Sequence, residues 1–128
     1  MNKKYILTEE YKNIIVSDNQ SKRVFRIMAI RSFGGVKAGQ LGGFVEKEEN
    51  LSHEGDCFVF DDAVVCDDAR VEKNSLVMDN ALIFGNALLT DNAIVVDNAI
   101  LKDRVVVRGD SEITDSAVIS ENAQVLDS

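Results

Sequence analysis

The chain has 128 residues, of which 45% are hydrophobic, and this length allows one ordinary globular domain. Its formal net charge of -8 is uneven: residues 1–54 carry nine Lys or Arg against seven Asp or Glu, and residues 55–128 carry five against fifteen. An acidic second half excludes direct nucleic-acid binding, because phosphate backbones need a basic surface, and the absence of an eighteen-residue apolar run predicts no membrane span.

The start of the chain, "MNKKYILTEEYK", turns polar too soon for a secretory signal, so we expect a cytoplasmic protein. The runs "YILTEE", "NIIVSD" and "RVFRIMAI" are β-prone and predict a small β cap over residues 1–43. The latter two are joined in hairpin fashion across residues 18–21. The glycines of "FGGVKAGQLGGF" predict tight turns and close backbone approach, and no phosphate-binding glycine motif is present.

Residues 44–128 repeat with a period of six. From Cys57 to Ala123, a small residue returns at every sixth position with one larger exception, Val105. Two positions after each of these stands an aliphatic residue, without exception from Val59 to Val125. Asp, Asn and Gly are frequent between one aliphatic residue and the next small one, and these types tolerate the left-handed backbone of a corner.

A period of six fits neither a helix nor a flat strand. A four-residue strand followed by a two-residue corner turns the chain by about a third of a circle, so that three hexads close a triangle. Stacked triangles pair their strands in parallel at roughly 4.8 Å and align the aliphatic side chains inside. The twelve hexads therefore predict an all-β protein, a parallel β-helix of about four triangular coils behind the N-terminal β cap.

The hexads resemble the left-handed parallel β-helix of hexapeptide-repeat proteins. The segments "RIMAI", "LGGFVE" and "NLSHEGDCFV" are similar to the leading segment of bacterial and phage proteins of this type, which are labelled transferase-like or uncharacterised. The resemblance implies left-handed coils. Acyltransferases on this fold use a histidine as general base, usually with a loop that breaks the hexads and encloses the substrate.

His53 is the one histidine and hence the candidate base. Counting in sixes from Val59 places it at the aliphatic slot of an imperfect first hexad, with Glu54 or Asp56 to orient its ring. Because no insertion interrupts residues 55–126, we favour a structural histidine and a chain that is not an enzyme and has no cofactor. The cysteines stand on opposite sides of the predicted strands and should not pair, and neither has a histidine at metal-ligand spacing.

Outward-pointing apolar residues stack at intervals of eighteen and predict interaction surfaces. We expect at least one such face to meet another chain, in a homodimer or a homotrimer, and the sequence leaves open whether the cap folds back over one of them. No capping element follows the last hexad near Leu126, so we also expect the final coil to be covered by a protomer or to fray. The predicted interface comprises Phe58, Phe60, Leu76, Met78, Ile94 and Val96 on one face and Leu82, Phe84 and Ile100 on a second.

One corner of the triangle repeats an aspartate at Asp61, Asp79, Asp97 and Asp115. Stacked carboxylates repel one another unless donors or cations lie between them. The column is either turn chemistry or a site for Ca²⁺ or for the basic side chains of a partner.

Three functions are consistent with these patterns. The first is a non-catalytic, self-associating β-helical scaffold or binding module. The second is a phage-type inhibitor whose acidic solenoid binds a basic groove of a host protein by electrostatic complementarity. The third is an acyltransferase-like enzyme with an atypical site, because a fold by itself does not supply chemistry.

Overall fold

Two long antiparallel strands precede a ladder of short parallel ones. The computed structural model describes residues 2–16 and 19–126, so residue 18 of the predicted turn lies outside the described residues. The first three strands are β1 (Tyr5–Ile15), β2 (Ser21–Ala29) and β3 (Leu41–Val45), and a short 3₁₀ helix spans Glu48–Asn50. The runs "YILTEE" and "NIIVSD", predicted as separate strands, belong to the single strand β1, which is irregular between Leu7 and Tyr11.

The remaining strands contain two or three residues each and follow one another at the predicted spacing. They are β4 (Phe58–Val59), β5 (Val64–Val65), β6 (Arg70–Val71), β7 (Leu76–Val77), β8 (Leu82–Ile83), β9 (Leu88–Leu89), β10 (Ile94–Val95), β11 (Ile100–Leu101), β12 (Val106–Arg108), β13 (Glu112–Ile113), β14 (Val118–Ile119) and β15 (Gln124–Leu126).

These strands form three sheets, one for each side of the triangle. The first sheet has the order β1-β2-β3-β5-β8-β11-β14, the second β4-β7-β10-β13 and the third β6-β9-β12-β15. Val77, Val95 and Ile113 are direct neighbours in the second sheet, eighteen residues apart each time. The parallel β-solenoid is therefore built from three hexads per turn, as the repeat predicts.

The solenoid has about five turns, whereas the hexads predicted about four. Phe44 pairs with Val64 and Leu51 with Val71, which are separations of twenty residues in place of eighteen. The additional first coil thus contains two extra residues. They lie between Leu51 and Phe58, because Leu51 pairs twenty residues ahead whereas Phe58 pairs with Leu76, eighteen residues ahead. Because these residues break the hexad count, the pattern hides the coil. Leu51, only 1% exposed, fills the interior slot that the count assigned to His53, so that assignment was wrong.

The interior of the solenoid is a continuous column of small and aliphatic side chains. Residues such as Ala81, Ile83, Ala99 and Leu101 are completely buried. Ser75 is accommodated in the small column because its hydroxyl donates a hydrogen bond to the carbonyl oxygen of Glu72 at 2.7 Å. Removal of these aliphatic surfaces from water is the main force that holds the coils in register.

The cap shares both a sheet and a core with the solenoid. β2 pairs with β1 on one side and with β3 on the other, and β3 continues in parallel to β5. Tyr5, Ile27 and Ala29 join the interior cluster of the coils. The predicted boundary after residue 43 therefore falls inside a strand, β3, that belongs to both parts.

Gly42 and Gly43 allow the cap to approach the first coil closely. A Cβ atom at either position would lie 2.5 Å from a backbone oxygen, that of Val59 or Ala63 respectively. This matches the close approach that the glycine pairs predicted. In the parts of the chain that the structure describes, no helix has the length and apolar character to cross a membrane.

Candidate binding surface

His53 lies where the cap meets the first coil. Its ring stacks on that of Tyr5, with centroids 4.2 Å apart and an angle of 16° between the planes. Its Nδ1 accepts a hydrogen bond of 3.2 Å from the backbone N–H of Lys4, and its Nε2 lies 3.4 Å from a carboxylate oxygen of Glu48. An accepting Nδ1 requires the proton on Nε2 in the neutral ring. The partner of the ring is therefore Glu48, from the 3₁₀ helix, and not Glu54 or Asp56 as expected.

This geometry engages both nitrogens of His53 in contacts within the chain. A general base needs a free lone pair within reach of a substrate proton, whereas here the lone pair of Nδ1 is bound to Lys4. A shallow groove of about 1100 Å³ passes His53 and is lined by Lys47, Arg70, Asn86 and Leu88, among others. Lys47 and Arg70 each form an ion pair with a nearby carboxylate. The hydrogen bond from Lys4 to His53 and the stacking of Tyr5 on the His53 ring tie the start of β1 to the first coil.

A buried lysine strengthens the same junction. The ammonium group of Lys4 donates hydrogen bonds of 2.7 Å to the carbonyl oxygen of Cys57 and 3.1 Å to that of Gly55, and it lies 4.5 Å from the ring centre of Phe33. Burial lowers the pKa of Lys4, and burial likewise raises the pKa of the Cys57 thiol. Cys57 and Cys66 are both free thiols, as their positions in the hexads predicted, but Cys66, which the hexads place on the outside, is buried beneath the cap.

The corner aspartates bind the backbone of the next coil. Asp61, Asp79, Asp97 and Asp115 all have positive φ angles between 58° and 61°. A carboxylate oxygen of each of the first three accepts the N–H of the next aspartate in the column, at 3.1, 3.0 and 2.9 Å. Asp91 and Asp103 make the same bond at the other two corners. Backbone donors thus lie between the stacked carboxylates.

The Asp61–Asp115 column contains donors but no set of side chains that would enclose a cation. Within residues 2–16 and 19–126, no three or more His, Cys, Asp or Glu side chains come close enough together to hold a metal ion. At another corner, the N–H of Gly109 and the ammonium of Lys73 lower the pKa of Asp91. The turn interpretation thus has direct contacts to support it, and Ca²⁺ binding stays a hypothesis.

The cap covers the second of the two predicted apolar faces. Val24 packs in one cluster with Phe44, Val64, Cys66 and Phe84. Of the predicted interface residues on this face, Phe84 is only 8% exposed, and Leu82 and Ile100 pack against the same cluster. The fold-back that the sequence left open therefore occurs on this face.

Two basic side chains hold the cap across that face. Lys22 lies 2.8 Å from the carboxylate of Asp67, at the corner that follows β5, and Arg26 lies 3.5 Å from that of Asp62, at the corner that precedes it. Lys12 and Arg26 also lie over the ring of Phe44, at 4.2 and 4.3 Å from its centre. Sequence analysis missed these cations because the cap has no repeat that would place them.

The other apolar face keeps most of its predicted residues accessible. Phe58 is the exception, because it is fully buried beneath Phe33, with ring centroids 5.5 Å apart. The other five residues are half-buried, and we call them the first face. They are Phe60, Leu76, Met78, Ile94 and Val96.

Acidic residues border the first face. The corner that follows its strands carries the Asp61–Asp115 column, and the corner that precedes them carries Asp56, Asp91 and Asp110. Glu112 continues the column of Leu76 and Ile94 in the next coil. Lys73 is the one basic residue among the positions of these two corners themselves, and it is paired with Asp91 at 3.3 Å. Arg26 of the cap reaches Asp62 at the other of these corners.

Comparison with known proteins shows a partial similarity to a curated protein. No family model matches the chain. The chain is similar to the uncharacterized acetyltransferase YdcK of Escherichia coli strain K12, with 32% identity over 66 residues. The match covers 49% of this chain and 20% of the relative, so the chain spans about a fifth of that protein's length. Together with the β-solenoid, this similarity fits the transferase-like hexapeptide-repeat resemblance, and it carries no activity over to this chain by itself.

Proposed function

We propose that the chain is a non-catalytic β-solenoid module that binds another polypeptide through the first face. The observation that carries the proposal is that Leu76, Met78, Ile94 and Val96 stay half-exposed in successive coils while the cap covers the adjacent face. Apolar side chains that adjoin one another at a surface are characteristic of interaction sites. Two occupants suit such a surface, a second copy of the chain or a different protein.

Sedimentation and affinity capture test this function together. Leu76→Lys with Ile94→Lys introduces two charges into the first face at half-exposed positions, which leaves the interior column intact. A self-assembly of about 10 µM wild type, or a complex captured from lysate, should be lost in this variant. A matched control is Leu88→Lys, at a half-exposed position of the third sheet. If neither assembly nor capture depends on Leu76 and Ile94, the first face is not the binding surface.

The second candidate is an acyltransferase-like enzyme, which the similarity to the acetyltransferase-named relative favours. The contacts of His53 count against it, because both ring nitrogens face groups of this chain. Saturable acetyl-CoA binding that is abolished by His53→Ala would favour the enzyme over the binding module.

A further inference from the structure

The cap shows how an external element binds this solenoid. The second face is apolar and lies between two acidic corners. The hairpin covers it with apolar residues such as Val24, while Lys22 reaches Asp67 at one corner and Arg26 reaches Asp62 at the other. The chain therefore closes one of its own faces with an element that is apolar in the middle and basic at both edges.

The first face has the same design without such a cover. Its apolar columns lie between the Asp61–Asp115 column and the corner of Asp56, Asp91 and Asp110. Burial of the apolar columns by any partner would also bring that partner's edges close to these carboxylates. Opposite charges at the edges favour association, and like charges oppose it.

A second copy matches this border poorly. In a face-to-face dimer, each acidic border would approach an acidic border of the other copy, while the cations at these corners, Lys73 and Arg26 of the cap, are already paired with Asp91 and Asp62. Carboxylates that are brought together while an apolar surface loses its water repel one another more strongly than in bulk water. The charge distribution thus opposes self-association through this face at low ionic strength.

We infer that the first face binds a polypeptide segment of another protein that is apolar along its middle and carries Lys or Arg at both edges. This inference rests on the proposed binding function and specifies its partner. The basic edges take the place that Lys22 and Arg26 occupy on the second face, and the apolar middle covers Leu76, Met78, Ile94 and Val96. An amphipathic helix that lies along the first face fits this description, because its turns repeat every 5.4 Å and the coils of the solenoid repeat every ~4.8 Å.

Binding of three synthetic helical peptides of about fourteen residues tests the inference. One is amphipathic and contains Leu and Lys, the second replaces Lys by Glu, and the third replaces Leu by Ser. We expect the Leu/Lys peptide to bind at least about tenfold more tightly than the other two. An increase in NaCl from about 50 to 500 mM should weaken the affinity of the Leu/Lys peptide by roughly tenfold. Equal binding of the Leu/Glu peptide, or no binding of the Leu/Lys peptide, would overturn the inference.

Two matched charge variants locate the contact. Asp79→Asn with Asp97→Asn removes two carboxylates that border the first face, and Asp103→Asn with Glu121→Gln removes two at the corner that does not border it. Because Asn and Gln keep an oxygen acceptor, both variants preserve the corner bonds. We expect the first pair of substitutions to weaken the affinity for the Leu/Lys peptide about fivefold and the second pair to leave this affinity unchanged. Equal weakening by both pairs would assign the binding to general acidity and overturn the inference.

The Leu76→Lys/Ile94→Lys variant separates failure of the inference from failure of the proposed function. If this variant abolishes a wild-type self-assembly that strengthens as salt is lowered, the first face is a binding surface but its occupant is a second copy. If the variant leaves both assembly and peptide binding unchanged, the proposed function fails as well. We expect wild type to be monomeric at about 50 mM NaCl and the variant to lose the Leu/Lys peptide.

Discussion

The ammonium group of Lys22 lies 2.8 Å from the carboxylate of Asp67, so that a residue of the cap is paired with a corner of the second coil. Both side chains are partly exposed, at 27% and 20%. Arg26 makes the equivalent contact on the opposite edge of the same face, at 3.5 Å from Asp62. The two pairs lie on either side of the apolar cluster that contains Cys66. The reactivity of the Cys66 thiol should therefore report on detachment of the cap.

Replacement of both cations should loosen the cap. In a Cys57→Ala background, Lys22→Ala with Arg26→Ala should accelerate labelling of Cys66 by a thiol reagent. Partly exposed ion pairs contribute about 1 kcal/mol or less, which corresponds to roughly a fivefold change in local opening. Burial raises the pKa of Cys66 to about 12, so the closed state contains almost no reactive thiolate and the rate reports on opening.

Lys47→Ala is the matched control for this experiment. Lys47 forms a 2.8 Å ion pair with Asp68, and it follows β3, so it is not part of the hairpin that covers Cys66. The labelling rate of Cys66 should therefore be unchanged in this variant. An unaltered rate in the Lys22→Ala/Arg26→Ala variant would contradict the role assigned to the two cations.

Tyr5 should make the protein sensitive to high pH. Its hydroxyl donates to the carbonyl oxygen of Leu51 at 2.6 Å, with the carbonyl oxygen of Glu48 2.9 Å away, and burial raises its pKa well above the usual range. A raised pKa in the folded state means that this contribution to stability is complete below about pH 10 and is lost as the pH rises further. Wild type should lose about 1 kcal/mol more than Tyr5→Phe between pH 9 and pH 11.

Urea denaturation at the two pH values measures this difference. Lys4, whose lowered pKa acts in the opposite direction, is present in both proteins and cancels in the comparison. Tyr11→Phe alters a tyrosine that is 51% exposed and should retain the wild-type pH dependence. The assignment to Tyr5 is wrong if Tyr5→Phe and wild type lose the same stability.

The corner aspartates should act through hydrogen bonds. Asp79→Asn with Asp97→Asn preserves an acceptor for the next N–H and a residue type that tolerates positive φ, so the melting temperature should change little. Asp79→Ala with Asp97→Ala removes the acceptors and places alanine in a left-handed conformation. We expect this double alanine variant to lose about 2 kcal/mol or more of the free energy of unfolding.

Thermal shift with Ca²⁺ distinguishes this role from metal binding. Millimolar Ca²⁺ should leave the melting temperature of wild type unchanged, because the carboxylates already accept backbone donors. If Ca²⁺ raises the melting temperature of wild type but not that of Asp79→Asn/Asp97→Asn, the column of aspartates is a cation site.

His53→Ala should affect stability and not catalysis. The substitution removes the acceptor for Lys4 and the stacking partner of Tyr5, for an expected loss of about 1 to 2 kcal/mol. Calorimetry with acetyl-CoA should give no saturable signal for wild type or variant. His53→Gln, which retains an acceptor, is the control and should recover part of the stability.

The amino-acid sequence by itself determined the solenoid. A period of six is a local property that each hexad repeats, so the register of Val77, Val95 and Ile113 could be predicted by counting. The acidic corners and the outward apolar columns followed from the same count. Where the count breaks, between Leu51 and Phe58, the prediction lost a coil and misplaced His53, because two extra residues shift the positions before them.

Only the tertiary structure decided which surface is free. The cap has no period, and the contacts of Lys22 with Asp67 and of Phe33 with Phe58 join positions that no repeat relates. The cap buries Phe84 and Phe58 and leaves Leu76 and Ile94 accessible, although all four are outward apolar residues of the same repeat. The physical reason is that a hexad specifies the direction of a side chain, whereas cover depends on where a distant segment folds back and binds.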